Sequence, residues 1–157
     1  MLLRPATAED LDFILKLEAD PGNAQFIGAW PRAQHLAAMA EDDIRYLIGM
    51  LQDQPAGFAI LRGLTTEDRS IHIQRLVIAT PGKGKGRGFV HALVAHAFAE
   101  FDADLVWLHV FQSNTRAHHV YRSLGFVARG SSPMVRRDGV GDIRVRMEID
   151  AADYAPG

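Results

Sequence analysis

The stretch SIHIQRLVIATPGKGKGRGFVHALVAHAFAEF, residues 70–101, decides the fold. Its first part, up to Ile78, alternates apolar and polar residues and then becomes apolar without a break, which predicts a strand that passes from half exposed to fully buried, or one that carries a β-bulge. From Phe89 to Phe101, apolar residues recur at helical spacing, which predicts an amphipathic helix. The order is therefore strand, glycine-rich turn, helix.

The turn PGKGKGRG, residues 81–88, has the chemistry of an anion site. Its glycines can adopt positive φ angles and leave space for a ligand. The free N–H groups at the start of a helix, together with the helix dipole, favour negative charge there. Lys83, Lys85 and Arg87 add positive charge. The turn is therefore expected to bind a ligand that carries phosphate.

Two common phosphate motifs are excluded by spacing. In a P-loop that starts at Gly82, the next required glycine would be Arg87, and no Ser or Thr follows. A dinucleotide fingerprint would need glycine or alanine at a position occupied by Arg87, Phe89 or His91, depending on the starting glycine.

The remaining pattern, K-G-K-G-R-G between a strand and a helix, resembles the Q/R-x-x-G-x-G/A coenzyme A loop of the GCN5-related N-acetyltransferase (GNAT) family. Lys83 would take the Gln/Arg position, a departure that keeps the charge, and Gly86 and Gly88 would be the two spaced glycines. VFQSNTRA, residues 110–117, and VYRSLGF, residues 120–126, resemble the next motif of the same family. The two motifs follow each other in the expected order.

This resemblance implies an α/β (α+β) fold, with a mixed, mostly antiparallel sheet of six to seven strands and about four flanking helices. The chain would be one domain over residues 1–157, with a loose tail at 151–157. It also implies acetyl-CoA or coenzyme A as acyl donor and transfer of an acetyl group to a primary amine. The acceptor would be a small-molecule or peptide amine that the sequence does not identify, and no membrane partner is expected. An alternative is a non-catalytic acyl-CoA-binding or sensing domain on the same fold.

The resemblance also assigns site residues. Tyr121 would give a proton to the departing thiolate, because a phenol is protonated at neutral pH. The turn would hold the diphosphate. The backbone of Val77, Ile78 and Ala79, at the end of the strand before the turn, would pair with pantetheine in a gap next to the strand at residues 105–110. Asn114 would cap a helix, contact the cofactor, or both. The implied cofactor-binding residues are Val77, Ile78, Ala79, Lys83, Gly84, Lys85, Gly86, Arg87, Gly88 and Asn114.

The general base stays open. His72 has a suitable ordinary pKa, although a half-exposed strand residue explains it equally well. The acidic residues near the predicted acceptor side are further candidates: Glu41, Asp42, Asp43 and Glu67. Three aromatic residues, Phe26, Trp30 and Trp107, could line an acceptor pocket or belong to the core.

Composition limits the remaining possibilities. The chain has 157 residues, 48% of them hydrophobic, a net charge of −2 and no cysteine, which suits one globular domain without disulfides. One basic cluster in a slightly acidic chain argues against a nucleic-acid-binding module. The N-terminus lacks the apolar core of a signal peptide, so a cytoplasmic protein is expected. The histidine spacing predicts no metal site, and a homodimer is left open.

The two ends of the sheet are predicted from turn signals. QDQPAG, residues 52–57, predicts a turn between two strands, and RRDG, residues 136–139, predicts a hairpin turn near the C-terminus. The strand after this second turn alternates cleanly from Ile143 to Ile149, which predicts one face in the core.

Overall fold

The computed structural model describes residues 1–24 and 27–154. The strands of this described part are β1 (Leu2–Pro5), β2 (Ile44–Leu51), β3 (Gln54–Arg62), β4 (Ser70–Ile78), β5 (Leu105–Phe111), β6 (Val127–Val135) and β7 (Gly141–Asp150). Its α-helices are α1 (Leu11–Ala19), α2 (Pro21–Ala24), α3 (Arg32–Met39), α4 (Lys85–Glu100) and α5 (Thr115–Ser123). None of these helices is both long enough and apolar enough to cross a bilayer.

The strands form one sheet in the order β1-β2-β3-β4-β5-β7-β6. Every neighbouring pair is antiparallel except β4 and β5, which run parallel. The parallel pair is joined through α4, the crossover that a parallel connection requires. The prediction of a mixed, mostly antiparallel sheet flanked by helices is confirmed.

Helices cover the sheet on both faces and create two cores. On one face, α4 and α5 pack over a cluster that includes Phe89, Leu93, Val106, Leu108 and Phe126, all at most 2% exposed. On the opposite face, α1 and α3 cover a second cluster, which includes Leu11, Ile14, Ile48, Phe58 and Ile60. The apolar stripe that predicted α4 is thus its buried face.

A β-bulge interrupts β4 and changes which residues face each core. Ile73 pairs with Leu61 and Arg75 pairs with Ile60, so Gln74 is the extra residue. The bulge shifts the alternation by one position, and Arg75 therefore points to the side of α1 and α3. Of the two explanations predicted for the strand pattern, the β-bulge is the correct one. Full burial of the strand end is not, because residues 76 and 78 stay only partly buried.

The parallel pair separates halfway along. β4 and β5 are paired only from Ser70 with Leu105 to Ile73 with Leu108. Beyond the bulge the two strands diverge, and the edge of β4 that faces β5 has no strand partner among the described residues. This separation opens a cleft in the middle of the sheet.

Two local expectations differ from the structure. The first turn is shorter than predicted: only Gln52 and Asp53, with φ of 51° and 61°, join β2 to β3, as in a type I′ turn. Pro55 suggested a longer loop, but it lies in β3 beside a register shift, where proline is tolerated.

The C-terminal tail is also more ordered than expected in its first part. Ala151–Asp153 forms a 3₁₀ turn, and the ring of Tyr154 packs 5.0 Å from that of Phe98. Residues 155–157, the rest of the predicted loose tail, lie outside the described residues.

Candidate active site

The glycine-rich turn after β4 folds through a series of left-handed residues. Gly82, Lys83 and Gly84 have φ of 116°, 55° and 73°, and α4 begins directly afterwards. Gly84 therefore occupies the N-cap position, where it leaves amides at the helix start without side-chain partners. Among the described residues, the amides of Gly86 and Arg87 have no backbone acceptor.

The surface of this turn is open. A Cβ built on any of Gly82, Gly84, Gly86 or Gly88 would meet no atom within 4 Å. The glycines are thus not required by packing inside the protein. They leave the backbone amides accessible from outside, which suits the close approach of a diphosphate.

The basic side chains of the turn are arranged around this surface. Lys85 donates from Nζ to Thr80 Oγ1 at 3.0 Å, and Arg87 donates from Nε to Ser123 Oγ at 3.2 Å. The second contact connects the start of α4 to the end of α5. Lys83 is exposed.

A cleft of about 440 Å³ lies where β4 and β5 separate. Arg137 of the β6–β7 turn donates to the carbonyl of Ile27, a lining residue, at 3.4 Å. The cleft is lined by Ile27, His72, Ile73, Gln74, Arg75, Leu76, Leu108, His109, Val110, Phe111, Asn114, Tyr121, Met134 and Arg144.

The backbone of β4 presents only part of its predicted edge to the cleft. Ala79 donates its amide to Ala56 at 2.8 Å, on the side of β3, and Val77 is paired with Phe58. Because backbone groups alternate in direction along a strand, Ile78 directs its N–H and C=O away from β3. Of the three residues predicted to pair with pantetheine, only Ile78 has its backbone groups directed away from β3. The backbone groups of Leu76, which was not among the predicted residues, point the same way.

Tyr121 stands in the wall of the cleft. It lies on α5, and its ring packs against Phe126 with centroids 5.6 Å apart. Burial raises the pKa of Tyr121 to about 12, so the phenol is protonated at neutral pH. The described residues contribute no hydrogen-bond partner to its hydroxyl, which is thus free to serve a ligand.

Asn114 has both features that were predicted for it. Its side chain accepts a hydrogen bond from the amide of Ala117 at 3.3 Å and so caps α5. It also lines the cleft. The capping role explains why an asparagine follows β5 and begins the helix that carries Tyr121.

His72 is held in an aromatic stack. Its ring is parallel to that of Trp107, with centroids 3.7 Å apart. Burial, assisted by His109 and nearby arginines, lowers the pKa of His72 to about 4. The imidazole is therefore neutral at pH 7 but only a weak base, which argues against His72 as the general base.

The other suggested bases lie outside the cleft. Asp43 accepts hydrogen bonds from Thr65 and from the amide of Gly63, and these bonds hold its pKa below the usual range. Glu41, Asp42 and Glu67 are exposed residues that do not line the cleft. Phe26 lies outside the described residues.

Sequence reasoning missed a buried polar network beside the cleft. Glu18 is 1% exposed and accepts a hydrogen bond from Arg75. Its other carboxylate oxygen lies 2.7 Å from Nε2 of His35. Nδ1 of His35 lies 2.6 Å from the hydroxyl of Tyr46. The guanidinium of Arg75 also lies 4.4 Å from the ring centroid of Trp30. The bulge that turns Arg75 toward α1 is the signal that could have indicated this network.

The sequence of this chain matches a known protein family. Residues 1–127 match a family model described as an acetyltransferase (GNAT) domain, which is more than half of the chain. The chain belongs to the GNAT acetyltransferase family. The predicted family is thereby confirmed, and this GNAT domain is an acetyl-CoA-dependent N-acetyltransferase.

Solved structures with the same fold include spermidine N-acetyltransferase SpeG from Vibrio cholerae. A mutant of that enzyme matches with a TM-score of 0.85 at 22% identity, over 98% of this chain and 97% of that chain. The spermidine N-acetyltransferase from Vibrio cholerae in complex with CoA and spermine matches with a TM-score of 0.81 at 23% identity, over 98% and 96% of the two chains. At this identity, the likeness shows that the GNAT domain shares their fold.

Proposed function

We propose that this enzyme transfers the acetyl group of acetyl-CoA to a primary amine of a small-molecule acceptor that binds in the cleft between β4 and β5. One observation carries the proposal: a protonated tyrosine without a hydrogen-bond partner among the described residues faces a cleft that opens where the parallel strands separate. A glycine-rich turn with open amides follows the same strand.

The turn at residues 82–88 has the features needed to hold the diphosphate of the donor. The amides of Gly86 and Arg87 are open, and the dipole of α4 favours an anion at this end. Lys83, Lys85 and Arg87 would lower the cost of placing the negative charges there. We propose all residues from Lys83 to Gly88 as donor-binding residues.

The pantetheine arm would pair with the free edge of β4. This arm has two amides and can therefore bind as an added strand. Leu76 and Ile78 direct backbone groups to the cleft, whereas Val77 and Ala79 contribute by keeping β4 in register with β3. Asn114, on the far side of the cleft, is proposed as a further contact of the donor.

Tyr121 is proposed as the general acid. Acetyl-CoA supplies an acyl group activated as a thioester. The amine nitrogen forms a bond to the acetyl carbon, the carbon–sulfur bond breaks, and the hydroxyl of Tyr121 gives its proton to the sulfur. The proton that the amine loses passes to water, which reprotonates Tyr121 through solvent. Enclosure of the ring keeps this hydroxyl protonated over the whole neutral range.

Other partners are proposed from charge and exposure. We propose that nucleic acid is not a partner, because the net charge of the chain is −2. β6 is an exposed edge strand along its whole length, which leaves a homodimer through this edge open to test. Residues 1–157 are proposed as one acetyltransferase domain.

Thermal melting followed by a turnover assay tests the function. Acetyl-CoA and coenzyme A should raise the melting temperature, because both bind the folded state. Release of free thiol in the presence of a panel of primary amines should then depend on the amine. A melting shift without thiol release for any amine would contradict acetyl transfer and favour a sensing domain.

A further inference from the structure

We infer that the amine acceptor carries an anionic group, a carboxylate foremost, and that a polyamine is a poor acceptor. This inference rests on the proposed function, because it concerns the acceptor of the same cleft. The solved relatives named above are spermidine N-acetyltransferases. The charges that line the cleft of this chain point to a different class of amine.

Among the described residues, the charged side chains that line the cleft are all basic. The described residues that line it include Arg75, Arg144, His72 and His109 but no aspartate or glutamate. Residues 25 and 26, which lie outside the described residues, are glutamine and phenylalanine, and neither has a carboxylate. A polyamine carries several positive charges at neutral pH and requires acidic side chains to bind them. This cleft provides none.

The carboxylate bound to Arg75 is not available to a ligand. Glu18 lies behind Arg75, is 1% exposed, and is bound by both Arg75 and His35. Moving Arg75 aside to expose this carboxylate would break a buried ion pair and would also remove the guanidinium from the ring of Trp30. Arg75 is therefore a fixed, largely neutralised part of the cleft wall.

Of the two arginines that line the cleft, Arg75 is paired with Glu18, so Arg144 is the one that can bind an anionic group of the acceptor. It is half-buried on β7, opposite Phe111 of β5, and the described residues offer it no ion pair. By contrast, Arg146 on the same strand is paired with Glu148 at 2.7 Å. A guanidinium presents donors in a planar fork that fits a carboxylate bidentately. Arg144 thus provides an anion site inside the cleft.

The field of this cation also suits the chemistry. Arg144 is one of the groups that lower the pKa of both His72 and His109, together with their burial and with Arg146. The same positive field stabilises the neutral form of an amine that enters the cleft, and only the neutral amine attacks the thioester. A carboxylate bound at Arg144 would hold such an amine in place, whereas a second ammonium group would be repelled.

The test compares acceptors that differ only in charge. One matched set is β-alanine, propylamine and diaminopropane; a second is leucine and leucinamide; spermidine completes the panel. In each set, kcat/KM for the carboxylate-bearing amine should exceed that for its neutral partner by about 10- to 100-fold, as expected for a charge-assisted hydrogen bond. Diaminopropane and spermidine should rank below the neutral amine.

Variants of Arg144 assign the preference to this residue. Arg144→Gln should reduce the ratio of kcat/KM between the carboxylate and neutral members of a set to near one. Arg144→Glu should reverse the order, so that the diamine becomes the better acceptor. Arg129→Gln, which removes an exposed arginine of β6 outside the cleft, is the matched control and should keep the wild-type ratio.

The outcomes separate this inference from the proposed function. Spermidine or diaminopropane acetylated at least as well as the carboxylate-bearing amines would overturn the inference and leave acetyl transfer intact. An unchanged ratio in both Arg144 variants would overturn the role of Arg144. Failure of acetyl-CoA to shift the melting temperature, or thiol release with no amine at all, would overturn the proposed function and the inference with it.

Discussion

At Tyr121, burial and chemistry act on one side chain. Packing against Phe126 and the cleft wall raises the pKa of the phenol to about 12, so that it keeps its proton until it meets a strong base. The departing thiolate, in the same apolar surroundings, is also destabilised as an anion. Burial thus makes the Tyr121 phenol a weaker acid and the departing thiolate a stronger base, so proton transfer between them remains feasible.

Replacing Tyr121 with phenylalanine tests this role. Tyr121→Phe should lower kcat by about 100-fold or more, the usual contribution of a positioned acid, and should change the Kd for acetyl-CoA little. Steady-state kinetics and a binding titration measure the two effects. Tyr154→Phe, whose ring packs on Phe98, is the control and should leave both unchanged. Full turnover in Tyr121→Phe would contradict the assignment.

His72 should make stability depend on pH. Because burial lowers the folded pKa of His72 to about 4, below its ordinary value of 6.5, the unfolded chain binds more protons between these values. The free energy of unfolding therefore falls as the pH decreases through this window. Burial, followed by the charges of His109, Arg146, Arg62 and Arg144, disfavours the protonated form of His72.

The measurement is denaturant unfolding near pH 7 and near pH 5 for the wild type and for His72→Gln. On acidification, the wild type should lose more stability than the variant, by an amount on the order of 1 kcal/mol once partial solvent contact is allowed for. Equal losses would show that His72 is not held in its neutral form. Groups common to both proteins cancel in this comparison.

Some residues of the candidate site could be predicted from the sequence, and others could not. Tyr121 and Asn114 could be found because they belong to local motifs beside a recognisable strand and helix. Arg75, Glu18 and His35 are 57 or fewer positions apart but belong to three elements, and no local pattern links them. Their contact depends on the bulge in β4, which reverses the direction of Arg75.

At the scale of elements, the start of α4 must satisfy two opposing requirements, helix stability and open space for a ligand. Gly86 lies in a helix, where glycine costs stability relative to alanine. No atom of the described residues lies within 4 Å of the position that its Cβ would take. Packing therefore does not require glycine here, which agrees with the proposed approach of the diphosphate.

Gly86→Ala should consequently have effects of opposite sign. The free energy of unfolding should rise by about 0.5–1 kcal/mol because helix propensity improves. The affinity for coenzyme A should fall by about 10-fold, because the new methyl group would stand against the diphosphate. Chemical denaturation and isothermal titration measure the two quantities.

The control for this variant is Gly141→Ala at the start of β7. A Cβ at Gly141 likewise meets no atom within 4 Å, and this site lies away from the turn. It should leave coenzyme A affinity unaltered. Undiminished affinity in Gly86→Ala would show that the ligand does not approach this side of the helix.

The bulge in β4 shows the limit of strand prediction. The break in alternation after Gln74 indicated an irregularity, and a bulge was one of two explanations offered. The pattern did not show that the bulge would place Arg75 under α1, since that depends on how Ile60 and Leu61 pair across the neighbouring strand. Pairing between distant strands has no local signature.

Across the whole molecule, one buried network ties the N-terminal helices to the sheet. Glu18 of α1, His35 of α3, Tyr46 of β2 and Arg75 of β4 are linked by hydrogen bonds. The ring of Tyr46 is 3% exposed, and burial, with the charge of Glu18, raises its pKa to about 12. The network fixes α1 and α3 to β2 and to β4, one of the strands that line the cleft.

Glu18→Gln should therefore be strongly destabilising. Removing the charge of Glu18 leaves Arg75 without its buried partner, a change that costs about 3–5 kcal/mol. Asp12→Asn on the same helix is the matched control: Asp12 pairs with Arg32 at the surface, with the two side chains 87% and 49% exposed. Its loss should cost less than about 1 kcal/mol. Similar, small losses in both variants of α1, measured by chemical denaturation, would contradict a structural role for the network.

The overall architecture was more predictable than the acceptor side of the site. Element order, the crossover helix and the two GNAT motifs are encoded in local periodicity and in the strand–turn–helix sequence. The cleft is lined by residues of β4, β5, α5, β6 and β7 that only the folded sheet brings together. Its basic side chains, on which the proposed class of acceptor rests, come from β4, β5 and β7, so no single segment could predict it.

A crystal structure of the enzyme with coenzyme A tests the central claim most directly. The diphosphate should lie on the amides of Gly86 and Arg87, pantetheine should run along the edge of β4 at Ile78, and the sulfur should lie within hydrogen-bond reach of the Tyr121 hydroxyl. Coenzyme A bound elsewhere, or a sulfur remote from Tyr121, would contradict the account.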